Sequence, residues 1–415
     1  MRKILKSEFE IHPVGQGFFY SGKIETNNKN WNLVYDCGAT GSNQKLNREI
    51  NNLINSGFFT NNILDILVIS HFDSDHINGL PKLLENVTVK NLFIPYYSEM
   101  DLLFVNFLFE ILDSNTKIER TILVQGGELS KSGLEREVRE FDGNKEFDSD
   151  LDIELGDFSS DFFEIDSNLN TNLFRLKNNK VGLQKEWEMD FYNLPLDNEE
   201  IKQFEQKIKN ELIHEIEMKN NVVLSEEDKE SLKNLVKFKG IGEIQEYLKS
   251  VVNKSSKEDL SNNSSLCLYH SPSRVIKRNH YSTFLMKESI FNIVEFSSRI
   301  TSIKNGTLLT GDINLIFTKS LKNFPAKRWK NFNDYYSNKL GTIKFFFIPH
   351  HGSKKNWRKE LLDYGKGGYF ISSSGINNTH NHPNTEVIDD IVRNNGCLFL
   401  VNQESKIEYC INTFL

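Results

Sequence analysis

No stretch of this 415-residue chain approaches the ~18 to 20 consecutive apolar residues that a helix needs to cross a bilayer. The opening residues, Met1 to Glu8, lack the apolar run and small-residue cleavage site of a secretory leader. Cysteine is scarce: Cys37, Cys267, Cys397 and Cys410 are widely spaced and show no paired pattern, which speaks against a disulfide framework. These absences predict a cytoplasmic protein with no membrane association. Positive charge is also in deficit, with 50 Lys and Arg against 57 Asp and Glu and a net charge of -7. That excludes a broadly basic nucleic-acid surface, but neither a local basic groove nor metal ions that supply their own positive field. No internal repeat stands out. What the chain does contain is 38% apolar residues, including 31 Phe and 13 Tyr, enough for a substantial core. The length fits one large domain with an insertion, or two or three ordinary domains.

The order of elements follows from hydrophobic patterning. Phe9 to Tyr20, interrupted at Gly15 and Gly17, and Trp31 to Gly38 read as an antiparallel pair of strands. Leu46, Ile50, Leu53 and Ile54 recur at helical spacing, and Ile63 to Ile69 reads as a strand buried on both faces. A helix starting over Leu80 to Leu84, a strand over Val87 to Pro95, an apolar helix over Leu102 to Leu112 and a strand over Glu119 to Gln125 follow. From about Gly126 the composition shifts. Asp142 to Asp166 carries ten acidic residues and one Lys. Ile201, Phe204, Ile208, Leu212 and Ile216 then mark an amphipathic helix, and two further helices follow to Val252. Residues 131–259 are therefore expected to be a charged, mostly helical insertion between 1–130 and 260–415, packing on the main domain or recruiting a protein partner. Ser271 to Lys287 reads as a second interruption. Strands are expected over 265–269 and 291–296, over Gly306 to Ile313 ending in glycine and aspartate, over Lys344 to Ser353 ending in paired histidines, and over Gly368 to Gly375, with a helix through Val392, and a hairpin of 397–401 with 406–411 closing the chain.

Six of the ten histidines fall in three short clusters at or near strand ends, an arrangement that scattered surface histidines would not adopt. The first is His71-x-Asp73-x-Asp75-His76, directly after the buried strand. Asp312 ends a later strand, His350 and His351 end another, and His380 and His382 follow a third. Open α/β folds place their sites where strands end in this way. Imidazole and carboxylate ligands together suit divalent transition metals, and an oxygen-rich set shifts preference from Zn toward Mn or Fe. Two such ions activate a water by lowering its pKa toward neutrality, and can clamp an in-line displacement at phosphorus.

His71-x-Asp73-x-Asp75-His76 with Gly79-Leu80 resembles the metal motif of the metallo-β-lactamase fold superfamily. Val14-Gly-Gln-Gly17, Val34-Tyr-Asp36-Cys-Gly38, Leu308-Leu-Thr-Gly-Asp312, Pro349-His-His-Gly-Ser353, Ser374-Gly375 and His382-Pro383 occur in the order seen in the soluble hydrolase domain of ComEC-type DNA-uptake proteins, and Asn262-Asn263-x-Ser265-Leu266 looks like a further segment of it. The resemblance covers about 1–130 and 260–415. It implies an α/β fold, a metallo-β-lactamase-like four-layer αββα sandwich, holding two divalent metal ions, Zn or Mn. It assigns His71 and Asp73 to one ion, Asp75 and His76 to the other, and Asp312 as the bridge. His350 is the choice for a further ligand, with His351 as the alternative. Asp36 would support the motif by hydrogen bonding, while His382, and near it His380, would bind metal or protonate a leaving group. Lys354 could hold a phosphate, and Gln16 and Ser353 would shape turns. No clear extra histidine precedes Asp312, since His270 and His280 lie in a variable-looking segment. The expected activity is metal-dependent hydrolysis of a phosphodiester in nucleic acid or a nucleotide, that of a nuclease, with defence against foreign DNA as one setting. The alternatives are an ester, thioester or lactam hydrolase, and an interaction module with a structural metal.

Overall fold

The computed structural model describes residues 3–41, 43–95, 118–124, 153–154, 162–165, 172–176, 179–194, 265–273, 282–288, 292–296, 304–316 and 325–414. Its strands are β1 (Ile4–Ile11), β2 (Phe19–Glu25), β3 (Asn30–Cys37), β4 (Ile63–Val68), β5 (Thr88–Pro95) and β6 (Ile118–Val124). They continue with β7 (Ile153–Glu154), β8 (Phe162–Ile165), β9 (Asn172–Leu176), β10 (Lys180–Leu183), β11 (Trp187–Tyr192), β12 (Cys267–Pro272) and β13 (Ser282–Glu288). The last six are β14 (Asn292–Phe296), β15 (Gly306–Leu309), β16 (Ile343–Phe347), β17 (Tyr369–Ser373), β18 (Cys397–Val401) and β19 (Ile407–Phe414). Helices among the described residues are α1 (Asn43–Asn55), α2 (Ser74–Ile77), α3 (Leu80–Leu84), α4 (Pro325–Tyr336), α5 (Leu362–Gly365) and α6 (Thr385–Arg393). None of them is long and apolar enough to cross a membrane.

The strands form two mixed sheets, in the orders β14-β13-β19-β1-β2-β3-β4-β5-β6-β9-β8 and β18-β17-β16-β15-β12-β11-β10-β7. β1 alternates exposed with buried residues, as an antiparallel strand with one wet face should. β4 and β16 are almost wholly apolar and buried, as strands covered on both faces should be. One core lies between the sheets, where Tyr35, Val68 and Phe93 of the first meet Phe191, Leu268 and Phe347 of the second. A second packs Leu46, Ile50 and Leu53 of α1 with Leu80 and Leu83 of α3 against the outer face of the first sheet. A third packs Phe332, Tyr364, Val387 and Ile391 from α4, α5 and α6 against the outer face of the second. The protein is thus α/β, with helices outside two facing sheets.

Two sequence expectations need correction, and the 131–259 segment gains strands that the sequence did not announce. Among its described residues β9 pairs with β6, β10 pairs with β11, and β11 pairs with β12, so this part of 131–259 completes both sheets. Val181, Leu183, Trp187, Met189 and Phe191 are buried between the sheets, a two-residue periodicity that the charged composition hid. The interruption at 271–287 is in part β13, which pairs with β19. β18 and β19 do not form a hairpin, because β18 joins β17 in the second sheet and β19 joins β1 in the first. The helices expected over 102–112 and 198–252 lie outside the described residues.

His270 sits in the core between the sheets rather than with the ligand clusters. Its Nε2 meets Tyr20 Oη at 2.9 Å, and Tyr20 Oη meets Tyr409 Oη at 2.7 Å. Burial pulls its pKa down to about 3. The unfolded chain therefore takes up a proton near pH 6.5 that the folded protein refuses until about pH 3, so stability is present above that window and is lost as pH falls through it. Urea unfolding at pH 7, 6 and 5 is expected to show this as a loss approaching about 1.4 kcal/mol per pH unit, flattened in His270→Phe. Equal slopes in the two proteins would refute it.

Candidate metal centre

β3 and β4 run parallel and adjacent, so their ends set Asp36 beside Ser70 and His71. Asp36 is fully buried at φ 54°, a left-handed conformation that costs a non-glycine residue about 1 to 3 kcal/mol and is held only where the surroundings impose it. Three donors converge on its carboxylate: the Ser70 amide at 2.7 Å, Ser70 Oγ at 2.6 Å and His76 Nδ1 at 2.8 Å. The motif loop is strapped to the end of β3, with Phe18 N–H donating to Asp75 O, Gly79 N–H to Cys37 O, and Asn78 bonded both ways to Ala39. The close approach requires Gly38, where a Cβ would stand 2.5 Å from the backbone of Asp75 and His76. Gly17, at φ +143°, lies as tightly against Gly38 and Ala39. Asp73 caps α2 without a side-chain capping bond, and its Oδ2 stands 3.8 Å from His71 Nε2.

The second sheet supplies the opposite wall. β15, β16 and β17 are parallel neighbours, so Asp312, the His350-His351 turn and Ser373 emerge at one edge. His350 and His351 hold consecutive left-handed conformations, φ 50° and 56°, which send adjacent imidazoles in different directions, with ring planes 74° apart. Asp312 is the hub. Its Oδ1 lies 3.3 Å from His76 Nε2 and 3.8 Å from His351 Nε2, and its Oδ2 lies 3.8 Å from His71 Nε2 and 3.5 Å from His350 Nε2. Asp75 Oδ2 is 3.5 Å from His351 Nε2. Candidate ligand sets of His71, His76 and Asp312, and of Asp75, His76 and His351, follow from these separations.

The other ring nitrogens explain the orientation. His76 Nδ1 faces Asp36. His351 Nδ1 donates to Ser373 O at 2.6 Å. His350 Nδ1 meets Asn356 Oδ1 at 3.1 Å, while the Asn356 amide donates to Asp312 O and Ile313 O, leaving that oxygen to accept from His350. Ser70 Oγ has donated to Asp36, so it accepts from His71 Nδ1 at 2.9 Å. Each imidazole is thus held through Nδ1–H with its Nε2 lone pair turned inward. The Nε2 atoms of His71, His76 and His351 are buried and have no hydrogen-bond partner. Buried nitrogens are rarely left so, and Nδ1-tethered imidazoles converging on carboxylates are what metal ligation requires. The residues present fit a divalent metal.

Electrostatics agree with a cation-seeking cluster. Burial works against a charged His76, yet Asp312 and Asp36 outweigh it and raise its pKa well above the ordinary range. Burial likewise opposes the Asp312 carboxylate, but His350, His76 and His351 hold it well below the usual carboxylate range. Burial and then the His76 charge lower His71, and Asp312 and Asp73 offset only part of this.

The remaining expected residues divide. His382 stands at the site with its ring 5.5 Å from that of His350, and burial followed by the neighbouring imidazoles lowers its pKa to about 4. His380 is exposed beside it, the rings 5.6 Å apart. Ser353 shapes the turn, its N–H bonded to His350 O, and Gln16 Oε1 accepts from Gly375 N–H. Lys354 turns its ammonium to Glu386 at 3.4 Å on the surface. Four residues with no expected role hold the site together: Ser70, Ser265, Asn356 and Ser373. Ser265 Oγ accepts from the Asp312 amide at 2.9 Å and meets His71 Nδ1 at 3.1 Å. It stands in the Asn262-to-Leu266 segment, which was the only signal available.

No protein-family model matches the chain, and no curated protein is significantly similar to it.

Proposed function

We propose that the protein is a metal-dependent phosphodiesterase or nuclease of the metallo-β-lactamase type, with two divalent ions, Zn or Mn, at the junction of its sheets. The observation that carries this reading is the set of Nδ1-tethered imidazoles whose Nε2 atoms face Asp312. His71, Asp73 and Asp312, with His350 beside them, would hold one ion, and Asp75, His76, His351 and Asp312 the other. Bound there, the ions would supply Lewis acidity and a water of lowered pKa. The chain's own residues do the rest. Asp36, Ser70, Ser373 and Asn356 fix ring orientation, and Asp312 presents one oxygen to each half of the site. His382, neutral at pH 7 by its depressed pKa, stands at the rim where a reacting group would enter. The layering of helices around two facing sheets suits the four-layer sandwich of that superfamily. The choice of phosphodiester rests on the ordered motifs resembling the ComEC-type hydrolase domain.

Metal-loaded protein should be assayed against bis(p-nitrophenyl) phosphate, single- and double-stranded DNA, RNA and cyclic nucleotides, with thioester and lactam substrates alongside. Hydrolysis of a phosphodiester, abolished by chelation, is the expected result. Turnover of thioester or lactam alone would overturn the phosphodiester assignment. Asp36→Asn, which withdraws the charge behind His76, is expected to weaken metal affinity by about 10- to 100-fold, read by competition with a chromogenic chelator. Unchanged affinity would remove Asp36 from the scheme.

A further inference from the structure

A second cluster of ligand-type side chains lies where β1, α1 and the start of β19 meet, sharing no residue with the centre above. Glu10 is on β1, His12 just past its end, and Glu49 on α1; one ligand atom from each falls within 4.8 Å of the others. His12 is locked in place. Its amide donates to Phe19 O at 2.9 Å, its ring stacks on Phe19 at 4.0 Å, and its Nε2 meets Ser21 Oγ at 2.8 Å. The side chain is only 3% exposed, and its Nδ1, aimed between the two carboxylates, has no hydrogen-bond partner.

The separations identify what belongs there. Nδ1 is 3.5 Å from Glu10 Oε1 and 4.0 Å from Glu49 Oε2, beyond the 2.7–3.2 Å of an N–H···O bond. Nitrogen and oxygen ligands about 2.0 to 2.2 Å from one ion stand about 2.8 to 3.6 Å apart at tetrahedral or octahedral angles, so the Glu10 contact already fits and Glu49 has a few tenths of an ångström to close. The Asp312 centre shows the same open spacing, 3.3 to 3.8 Å. The flanking cations are more exposed than His12. Arg48 holds the outer oxygen of Glu49 at 3.0 Å and is 57% exposed. Lys406 holds Glu10 Oε1 at 3.0 Å, is 40% exposed, and has Glu408 as a second partner. Lys406 can therefore release Glu10 to another cation without losing its own salt bridge.

We propose that Glu10, His12 and Glu49 form a separate site for one divalent transition-metal ion, a structural clasp joining β1 to α1. One imidazole and two carboxylates suit Mn, Fe or Zn. The ion would stabilise the folded protein without entering the reaction, because the cluster shares no residue with the Asp312 centre.

The test compares full-length wild-type protein with Glu10→Gln and Glu49→Gln, each equilibrated with Mn2+ or Zn2+, desalted and counted by elemental mass spectrometry. Each variant is expected to carry one equivalent less than wild type, and to lose part of the metal-induced rise in Tm, while keeping any phosphodiesterase activity. Asp312→Asn is expected to retain that equivalent. Because Glu10 is the more exposed of the two glutamates, Glu10→Gln gives the reading if Glu49→Gln does not fold. Equal metal counts in wild type and Glu10→Gln would overturn the proposal, whatever the Asp312 centre binds. Loss of every equivalent in Asp312→Asn would overturn it as well.

Discussion

Asp312→Asn is expected to lower kcat/KM for a phosphodiester by about 1000-fold, roughly 4 kcal/mol of transition-state stabilisation, with little loss of fold. The carboxylate faces His71, His76, His350 and His351 at once, through both oxygens. An amide offers one neutral oxygen in its place, so the charge shared by both halves of the site disappears. The backbone contacts survive, since Ser265 Oγ accepts from the Asp312 amide and Asn356 donates to its carbonyl. That separation of effects makes the variant informative. Activity within tenfold of wild type at saturating Mn2+ and Zn2+ would remove Asp312 from the chemistry.

Gly38→Ala is expected to cost about 3 kcal/mol of stability, the upper end of what an overpacked methyl does. The added methyl would stand 2.5 Å from the Asp75 carbonyl carbon and from His76 N. Both are backbone atoms, so no rotamer change relieves the overlap. Either the β3 turn or the motif loop must move, and the loop is tethered through Asp36, Cys37 and Phe18. Metal affinity should therefore fall together with the urea midpoint. Gly341→Ala is the control, since its added methyl meets nothing within 4 Å and should change stability by about 0.5 kcal/mol or less. Similar midpoints for the two variants would contradict the packing described for the motif loop.

Much of this candidate centre was legible in the sequence because strands buried on both faces announce themselves as unbroken apolar runs, and the candidate ligands follow directly. Ile63 to Ile69 before His71, and Phe345 to Ile348 before His350, are of this kind. The pairing of strands was less legible. Cys397 to Val401 and Lys406 to Ile411 look like a hairpin at four residues' separation, but the chain crosses between sheets there, and local pattern carries no information on which sheet a strand joins. The strands β9 to β11 were obscured because they follow the acidic stretch, whose charged composition masks the alternation of Val181 with Leu183 and of Trp187, Met189 and Phe191. The sequence ranks His350 ahead of His351 because it directly follows the strand, yet it is His351 that joins Asp75 and His76 while His350 faces Asp312; the two left-handed residues that aim them at different edges of the cluster are a property of the folded turn. Ser70, Ser265, Asn356 and Ser373 went unremarked because a hydroxyl, amide or carbonyl becomes a tether only when a distant strand end arrives beside it. His12 is silent in sequence for the same reason: Glu49 lies 37 positions away and meets it only through the packing of α1 on the sheet.

Anomalous scattering from crystals grown with Mn2+ tests whether Asp312 is the shared carboxylate of a two-metal centre. Two peaks about 3.5 to 4 Å apart are expected, one against His71 and Asp73, the other against Asp75, His76 and His351, with an oxygen of Asp312 facing each. Absence of any peak at Asp312 in the Mn2+-grown crystals, with His71 and His76 Nε2 hydrogen-bonded to ordered waters, would contradict it.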